Sequence, residues 1–439
     1  MTPVTVIGAG LAGCEAAWAL ANAGVPVRLC EMKPQKFSPA HHSENFAELV
    51  CSNSLKAQRI GSAAGMLKEE MRMMGSLVVA CALETSVAAG GALAVDRGAF
   101  SSLVTARIRA HEQIEVVPGE VVRIPEEGYV VVATGPLTSD ALAKEIEARC
   151  GGPLSFYDAA APIVTFDSLE RERVFFAARY GRGEDDYINC PFTKEEYERF
   201  YDALLHAESA PLHSFDRSEE KVYEGCMPIE IMARRGPDTI RYGPLKPVGL
   251  RDPRTGRRPW AVVQLRRENR EGSLYNLVGF QTNLKFGEQK RVFSMIPGLE
   301  RAEFVRYGVM HRNTFLDSPR LLDSTFRLRN EDRIYFAGQI TGVEGYIESA
   351  MSGILAGKQL VRRLRGLPPL ELPRETMSGA LCAYISDENV ADFQPMGCNM
   401  GLLPPPDERV RDKQQRYQMI AERGLGRLRE VLREEEEVL

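Results

Sequence analysis

The first thirty residues show apolar runs separated by small-residue turns, in the order strand, helix, strand. Val4–Ile7 is a short apolar run, an Ala-rich helical run extends from Cys14 to Ala23, and a second apolar run, Val25–Cys30, ends at Glu31. Short apolar runs bounded by glycine are typical of buried strands, and the Ala-rich run between them favours a helix. The pattern predicts a βαβ unit at the start of an α/β fold.

The loop between this strand and this helix has the glycine spacing GxGxxG over Gly8–Gly13. In a strand-loop-helix setting the first glycine permits a tight turn, and the second lets backbone N–H groups approach a pyrophosphate. The third allows close packing of helix on strand. Glu31 stands where an acidic side chain would accept the ribose hydroxyls of a dinucleotide. The alternative is a glycine-rich helix start that binds no ligand.

Two later segments favour FAD over NAD as the dinucleotide. Val130–Val132 is an apolar run that ends in Ala133-Thr134-Gly135, and it resembles the second strand motif of flavoproteins with two dinucleotide folds. Much later, Arg333–Gln339 is a strand entering a loop, and Gly342–Gly345 lead into a small-residue helix over Ser349–Gly357. In such flavoproteins the corresponding segment holds the ribityl chain and the flavin pyrimidine edge. The nucleotide fold should therefore close around an inserted domain.

The stretch between these segments mixes helix and strand patterns. Thr193–His206 opens with a threonine cap and a glutamate three positions on, which predicts a helix, and Gly287–Ser294 is also helical in pattern. Ala261–Leu265 and Tyr275–Gly279 are strand-like and flank a charged turn, which predicts a hairpin. We expect an α/β fold in which a Rossmann-type FAD-binding domain, 1–160 and 290–439, is interrupted by a smaller α+β insertion domain at 161–289.

The composition limits the cellular compartments and the classes of protein that fit this chain. The 439 residues are 44% apolar and 26% charged, without a leader sequence or an apolar run of membrane-spanning length. The nine cysteines form no CxxC pair, which argues against a structural zinc site. We expect their thiols to be reduced, as in the cytoplasm. The adjacent His41 and His42 lack partner ligands, so we expect no metal. The formal charge of -5 gives no global sign of nucleic-acid binding.

One segment of the predicted insertion departs from this acidic balance. Residues 232–270 carry eleven Arg or Lys against three Asp or Glu, a net charge of +8. Tyr242 and Trp260 lie among the arginines. Guanidinium groups pair with phosphates and aromatic rings stack on bases, so the segment favours an RNA-binding face over a solvated arginine-rich surface. The candidate RNA-binding residues are Arg234, Arg235, Arg241, Lys246, Arg254, Arg257 and Arg258.

Four further motifs carry a family resemblance. They are Val50-Cys51-Ser52-Asn53-Ser54-Leu55, Glu224-Gly225-Cys226-Met227-Pro228-Ile229-Glu230, Val278-Gly279-Phe280-Gln281-Thr282-Asn283-Leu284 and Gln394-Pro395-Met396-Gly397-Cys398-Asn399. Over nearly the whole chain the sequence resembles the folate- and FAD-dependent tRNA (uracil-5-)-methyltransferases. A more distant resemblance is to the larger flavoproteins that build carboxymethylaminomethyl-uridine at the tRNA wobble position. Those have a long C-terminal helical domain, for which this chain is too short.

The resemblance implies methylation of C5 of uridine 54 in the tRNA T-loop, to give 5-methyluridine. The carbon donor would be 5,10-methylenetetrahydrofolate, and the reductant would be FAD reduced by NADH or NADPH. Uracil C5 is a poor nucleophile, but a thiolate added at C6 converts the ring into an enolate whose C5 attacks an electrophilic carbon. A flavin hydride then reduces the methylene bridge to a methyl group, and a base removes the C5 proton.

Two cysteines in the matched motifs are the candidate catalytic residues. Cys226 lies in a sharp turn within a charged region and is our first choice for the C6 nucleophile. Cys51 precedes a polar run suited to a flavin-contacting loop, and we assign it to the flavin side as base or second thiol. The competing interpretation of any cysteine is a small buried hydrophobe. Cys398 is left unassigned.

Cofactor contacts are expected in and near these motifs. Arg97 suits flavin or folate charge, and the alternative is that it lies in a solvated turn. His311 has an aromatic face suited to a pterin, and the alternative is a structural histidine. Glu344 and Tyr346 are further folate candidates. The residues expected to bind FAD are Gly8, Ala9, Gly10, Leu11, Ala12, Gly13, Glu31, Asn53, Arg97, Thr134, Gly135, Gly338, Gln339, Gly342, Val343, Glu344, Gly345, Tyr346 and Ser349.

Other classes of function stay open on the sequence. A wobble-uridine flavoenzyme is disfavoured by the short C-terminus, and a small-molecule oxidoreductase by the basic segment. A flavin-bearing RNA-binding module without methyl transfer is disfavoured by Cys226. Within the leading class, C5 attacks either the folate carbon directly or a carbon first carried by the flavin. The order in which the two cysteines act and the oligomeric state are also open.

Overall fold

The computed structural model describes residues 2–150, 154–159, 161–181, 186–210, 227–269, 272–308, 310–390, 393–406, 408 and 410–438, with the backbone alone at 154–159, 310–314 and 436–438. Its strands are β1 (Val4–Ile7), β2 (Val27–Glu31), β3 (Ser54–Ala57), β4 (Ser86–Val87), β5 (Ala92–Val95), β6 (Ile114–Pro118), β7 (Val130–Val132), β8 (Leu154–Ala159), β9 (Ile163–Thr165), β10 (Phe175–Phe176), β11 (Tyr187–Phe192), β12 (Ala261–Arg267), β13 (Leu274–Leu277), β14 (Phe304–Arg306), β15 (Met310–Phe315) and β16 (Ile334–Phe336). Its helices are α1 (Leu11–Asn22), α2 (Ala63–Met73), α3 (Leu77–Glu84), α4 (Arg97–Ala110), α5 (Asp140–Cys150), α6 (Lys194–Leu205), α7 (Ile229–Arg234), α8 (Pro237–Tyr242), α9 (Phe286–Phe293), α10 (Ser318–Leu321), α11 (Tyr346–Leu364), α12 (Met377–Ser386) and α13 (Lys413–Val438).

The apolar runs at the start of the chain become parallel strands in a five-stranded sheet of order β16-β7-β1-β2-β6. In its centre, Thr5 of β1 lies opposite both Arg28 of β2 and Val130 of β7. Parallel strands are buried on both faces, which explains why they occur in the sequence as continuous apolar runs. The edge strand β16 comes from residues 334–336, so the sheet joins the two ends of the chain. The predicted α/β Rossmann-type fold is confirmed.

Helix α11 packs directly against helix α1, and glycine permits the close contact. A Cβ at Gly353 would lie 2.1 Å from the carbonyl oxygen of Ala12. One at Gly357 would lie 2.9 Å from the carbonyl oxygen of Ala16. The backbones approach because no side chain stands between them. The contact therefore holds helix α11 against the first turn of α1, next to the glycine loop.

Six antiparallel strands form a second sheet, of order β10-β11-β12-β13-β9-β14. The predicted hairpin is present as β12 and β13, with Arg266 opposite Asn276. Strand β12 places apolar and polar residues on opposite faces. Ala261, Val263 and Leu265 join an apolar core with α6 and α9, whereas Gln264 and Arg266 are buried polar residues on the other face.

Two predicted helices flank this sheet. The helix expected over Thr193–His206 is α6, and its capping box is formed: Glu196 N–H donates to Thr193 Oγ1 (3.2 Å), and Thr193 N–H donates to a Glu196 carboxylate oxygen (2.9 Å). The helix expected over Gly287–Ser294 is α9. The sheet extends to β14, beyond the domain boundary placed at 290. The division into domains 1–160, 161–289 and 290–439 stays a prediction.

We expect Gly353→Ala to destabilise the protein by about 1 to 3 kcal/mol, because its methyl group would overlap the Ala12 carbonyl and force α11 away from α1. Denaturant unfolding measures the change. Gly426→Ala in α13 is the matched control, since no atom outside its own helix lies within 4 Å of a Cβ there. Equal stability of the two variants would contradict this account of the packing.

Candidate active site and cofactor cleft

The glycine loop between β1 and α1 has the conformation that its sequence predicts. Gly8 has a φ of +98°, which side-chain-bearing residues rarely adopt. A Cβ at Gly13 would lie 1.8 Å from the Gly8 carbonyl oxygen, so the loop closes only with glycine there. Gly10 caps α1 without a side-chain bond, and nothing lies within 4 Å of a Cβ at that position. The α1 N-terminus is thus open for a phosphate group.

Glu31, at the end of β2, binds this loop. One of its carboxylate oxygens accepts the Ala9 N–H (2.7 Å), and the other accepts the Lys33 N–H (3.0 Å). The side chain is buried at the wall of the cleft described below. The sequence predicted a contact with ribose hydroxyls, and that contact stays a prediction. The structure shows a second role for Glu31, which is to hold the glycine loop against the end of β2.

A long cleft runs past the glycine loop and contains about 1350 Å³ of empty space, part of it open to solvent. Its lining joins segments from both ends of the chain. From the expected FAD contacts and catalytic candidates, it includes Gly8, Ala9, Gly10, Leu11, Ala12, Glu31, Cys51, Thr134, Gly135, Gly338, Gln339, Tyr346 and Ser349. Residues that the sequence did not indicate, Lys33, Ser38, His41 and Glu120 among them, line the end near Glu31.

The residues present fit FAD. The open N-terminus of α1 would hold the pyrophosphate, with Glu31 on the ribose side. At the other end, α11 begins at Tyr346 without a side-chain cap on its first N–H groups, and both Tyr346 and Ser349 line the cleft. A helix N-terminus favours the electron-rich edge of a ligand. The cleft therefore offers donors at both places where a flavin dinucleotide needs them.

Cys51 lies at this second end of the cleft, against Tyr346. The Tyr346 hydroxyl accepts the N–H groups of Cys51 (2.8 Å) and Ser52 (3.2 Å), and it lies 3.0 Å from Cys51 Sγ. A hydroxyl has two acceptor positions and one hydrogen. Because the two N–H groups fill the acceptor positions, the hydrogen is directed at sulfur. Burial, followed by the nearby Cys51, raises the pKa of Tyr346 well above its ordinary value, so the hydroxyl keeps this hydrogen.

Arginines tie the Cys51 loop to the antiparallel sheet. Arg97 pairs with Glu268 (2.7 Å) and donates to the carbonyl oxygens of Leu49 (2.8 Å) and Val50 (3.0 Å). Arg97 was expected to meet flavin or folate charge, but these bonds direct its guanidinium to the protein. Its pKa is raised: burial alone would lower it, and Glu268 outweighs that effect.

Arg266 makes the second connection. It donates to Ser52 Oγ (2.6 Å) and to Asn53 Oδ1 (3.0 Å). Asn53, expected to contact the cofactor, is fully buried and donates to the carbonyl oxygens of Val95 (2.9 Å) and Arg267 (2.7 Å). Sequence reasoning missed Arg266 and Glu268. The available signal was a pair of polar residues, Gln264 and Arg266, at alternate positions of an apolar strand.

Cys226 lies outside the described residues, but the segment that follows it is anchored. Ile229 N–H donates to the Gln281 carbonyl (2.8 Å). Glu230 accepts from the Thr282 hydroxyl (2.8 Å) and from the Asn283 N–H (2.8 Å). Two of the motifs that carry the family resemblance are therefore in direct contact.

The Gln394–Asn399 motif and Lys56, the residue after the Cys51 motif, meet at a buried carboxylate. Glu348 in α11 is fully buried, pairs with Lys56 (2.6 Å) and accepts the Cys398 N–H (2.9 Å). The backbone of Met396 exchanges hydrogen bonds with Gly342 and Glu344 (2.8 Å each). Burial, and then the negative charge of Glu348, raises the pKa of the Cys398 thiol. Its thiolate is disfavoured, so Cys398 gains no catalytic assignment.

Other expected cofactor residues lie beside the cleft lining. Val343 is fully buried, and Glu344 accepts a hydrogen bond from Gln339 Nε2 (2.6 Å). Gly342 and Gly345 shape the turn before α11. His311 lies in β15, where its backbone pairs with Asp158, and its side chain is outside the description. In the described part of the chain no group of three His, Cys, Asp or Glu suits a metal ion, and no helix has the length and apolar character to cross a membrane.

The structure divides the basic segment into exposed and internally bound residues. Arg241 lies 3.7 Å over the Trp260 ring and donates to the Trp260 carbonyl (3.1 Å). Arg254 is exposed but pairs with Asp252 (2.7 Å). Both guanidinium groups therefore have bonds within the protein. The other RNA-binding candidates, Arg234, Arg235, Lys246, Arg257 and Arg258, are exposed.

The fold and the cleft define an α/β dinucleotide-binding protein of the flavoprotein type. The family model described as Glucose inhibited division protein A matches residues 3–368. Two relatives are named Methylenetetrahydrofolate--tRNA-(uracil-5-)-methyltransferase TrmFO. The one from Acetivibrio thermocellus is 58% identical over 98% of both chains, and the one from Geobacter sulfurreducens is 59% identical over 97% of this chain and 98% of its own. The chain belongs to this methyltransferase family, as its motifs indicated.

A solved structure supports the fold at lower identity. The Aquifex aeolicus GidA structure in its form I crystal has a TM-score of 0.71 and 18% identity, covering 98% of this chain and 76% of that chain. At this identity the likeness shows the fold alone. It agrees with the overall α/β fold described above.

We expect Tyr346→Phe to slow the alkylation of Cys51 by iodoacetamide about tenfold, because the lost hydroxyl donates to sulfur and stabilises the reactive thiolate. Mass spectrometry of the Cys51 peptide measures the rate. Tyr201→Phe is the control, since it removes a partly buried hydroxyl that donates to the Ala233 carbonyl. An unchanged or faster rate in Tyr346→Phe would show that the hydroxyl does not stabilise the thiolate.

Proposed function

We propose that this chain methylates C5 of uridine 54 in the tRNA T-loop, with 5,10-methylenetetrahydrofolate as carbon donor and FAD reduced by NADH or NADPH as reductant. The observation that carries the proposal is that a cysteine of the family motif, Cys51, lies at one end of a dinucleotide cleft against Tyr346. Relatives at 58% and 59% identity bear the name of this activity. With tRNA as substrate, we place the enzyme in the cytoplasm.

Cys226 is our proposed nucleophile toward uracil C6. A thiolate there makes C5 nucleophilic, which the reaction requires before any carbon is transferred. The anchoring of Ile229 and Glu230 by the Gln281–Asn283 segment supports this role, because it holds the end of the Cys226 motif in a fixed position. A held motif lowers the entropic cost of bringing sulfur to C6.

Cys51 is proposed to act on the flavin side, as base for the C5 proton or as second thiol. Its sulfur accepts the Tyr346 hydroxyl hydrogen, which favours the thiolate that either task needs. When bound, reduced FAD supplies the hydride that converts the transferred methylene group into a methyl group. For folate we propose Tyr346 and Glu344, together with His311.

The exposed members of the basic segment are proposed to bind the tRNA backbone. Arg234, Arg235, Lys246, Arg257 and Arg258 present positive charge to solvent, which phosphate groups would neutralise. Compared with Arg234, Lys246, Arg257 and Arg258, Arg241 and Arg254 are less suited to this task because their guanidinium groups have bonds within the protein. We place this face on the proposed insertion domain, 161–289.

The decisive test of the function uses the purified flavin-containing protein, unmodified tRNA, NADH or NADPH, and methylenetetrahydrofolate labelled in the transferred carbon. We expect label in uridine 54, located by nuclease digestion and mass spectrometry. A tRNA with cytidine at position 54 is the matched control and should remain unlabelled. Absence of label from the normal tRNA, with flavin reduced and folate intact, would falsify the proposal.

We expect Cys226→Ala to lower methyl transfer at least a thousandfold while the flavin spectrum is retained, because removal of a covalent nucleophile abolishes C5 activation. Initial rates of label transfer measure the effect. Cys150→Ala, a substitution of a buried cysteine in α5, is the control and should retain activity. Normal activity of Cys226→Ala would exclude it as the nucleophile.

A further inference from the structure

A row of directly opposed residues crosses the antiparallel sheet on the face away from its apolar core. Tyr187 pairs with Arg266, Arg266 with Asn276, Asn276 with Ile163, and Ile163 with Arg306. Directly opposed residues of a sheet lie on the same face. Their strand neighbours on the other face, Ile188, Leu265, Leu277 and Val164, belong to the apolar core. We call the row the polar sheet face.

A bulge in β14 places Arg306 on this face. Phe304 pairs with Val164 and packs against the apolar core, so a regular strand would direct residue 306 to the same side. The register shifts by one residue between Phe304 and Arg306, and Arg306 pairs with Ile163 instead. Bulges occur next to active sites because they change the direction of a side chain. Here the bulge turns a guanidinium group away from the core.

The polar sheet face lies against the Cys51 loop. Arg266, in the same row, donates to Ser52 Oγ (2.6 Å), one residue from Cys51. Burial lowers the pKa of Arg306, and the positive charge of Arg97 lowers it further, whereas Tyr346, Cys51 and the carboxylate of Glu268 act in the opposite sense. Arg306 is therefore close enough to the Cys51–Tyr346 pair to interact electrostatically with it.

Arg306 differs from Arg97 and Arg266, the other arginines near Cys51, in having no hydrogen-bond or ion-pair partner among the described residues. Arg97 pairs with Glu268, and Arg266 bonds to Ser52 and Asn53. Within the ranges that the structure describes, the Arg306 guanidinium makes no hydrogen bond and no ion pair, although the residue is partly buried. Glu268, the carboxylate that acts on Arg306, is already paired with Arg97. A partly buried cation without a bonded counter-ion is unfavourable unless a ligand supplies negative charge.

The position of Arg306 is also fixed before any ligand arrives. The adjacent Tyr307 stacks on Phe304 with ring centroids 5.4 Å apart and on Phe286 at 5.0 Å. These contacts hold the end of β14 on both sides of Arg306. A prepositioned cation stabilises charge at little reorganisation cost.

Given the proposed function, we propose that Arg306 binds a negatively charged oxygen of the target uridine nucleotide. Its place on the sheet of the basic segment, opposite the Cys51 loop, favours the nucleotide over FAD. Two oxygens have the required chemistry. When a thiolate adds at C6, the S–C6 bond forms, the C5=C6 π bond breaks, and the electron pair spreads over C5 and O4. The phosphate beside the uridine is the other source of negative charge.

The test compares Arg306→Ala and Arg306→Gln with Arg301→Ala, whose side chain is exposed and pairs only with Glu170 in the described structure. Flavin content and unfolding are checked first, and the glutamine variant keeps most of the side chain if the alanine variant loses its fold. We expect both Arg306 variants to lower kcat/KM for tRNA about a hundredfold. Arg301→Ala should match the wild type.

The kinetic pattern identifies the oxygen. A lower kcat with unchanged KM for tRNA indicates O4, because the charge on that atom exists only during reaction. A higher KM for tRNA with a weaker salt dependence indicates phosphate. Activity equal to that of Arg301→Ala, or an effect confined to KM for methylenetetrahydrofolate, would overturn the inference. An inactive wild type in the same assay would instead count against the proposed function.

Discussion

The ion pair between Arg97 and Glu268 is the constraint on which the candidate site depends. It joins the first residue of α4 to the antiparallel sheet, and the same guanidinium binds the two carbonyl oxygens just before Cys51. Both side chains are largely removed from water, so their charges are stable only together. Loss of one partner from a buried pair costs about 3 to 5 kcal/mol, because the other charge is left without compensation.

Asn53, an uncharged residue, also connects the Cys51 loop to the antiparallel sheet. Its amide group donates to carbonyl oxygens on both sides, Val95 in β5 and Arg267 in β12, and its oxygen accepts from Arg266. A fully buried amide must satisfy its donors and acceptor, and here it does so with partners from two sheets. The position of Cys51 thus follows from bonds made by its neighbours. The Tyr346 hydroxyl lies 3.0 Å from the sulfur itself.

The sequence predicted features that depend on local spacing. The glycine loop, the α6 capping box and the apolar parallel strands each follow from residues a few positions apart. The pairing of Cys51 with Tyr346 was not predicted, because 295 residues separate them and only the closure of the parallel sheet brings them together. Asn53 was selected within the Cys51 motif, and Arg97 because an arginine after the glycines at 90 and 91 suits flavin or folate charge. Both side chains hold the scaffold through their bonds, which a single sequence does not distinguish from ligand contact, and their contact with a cofactor stays a prediction.

The charge count over residues 232–270 had a related weakness, because it treated every arginine as a candidate for RNA binding. The fold separates them: Arg266 lies on the polar face of β12 against the Cys51 loop, whereas Arg257 and Arg258 precede the strand and are exposed. One segment thus supplies positive charge to the outer surface and to the interior. Only the outer charges can meet an RNA backbone at long range. The inner arginine, Arg266, bonds to Ser52 and Asn53 and so holds the Cys51 loop, in surroundings where the low dielectric strengthens its effect. On the proposed function, the exposed charges would bind the RNA backbone while the buried arginine keeps the Cys51 loop at the cleft.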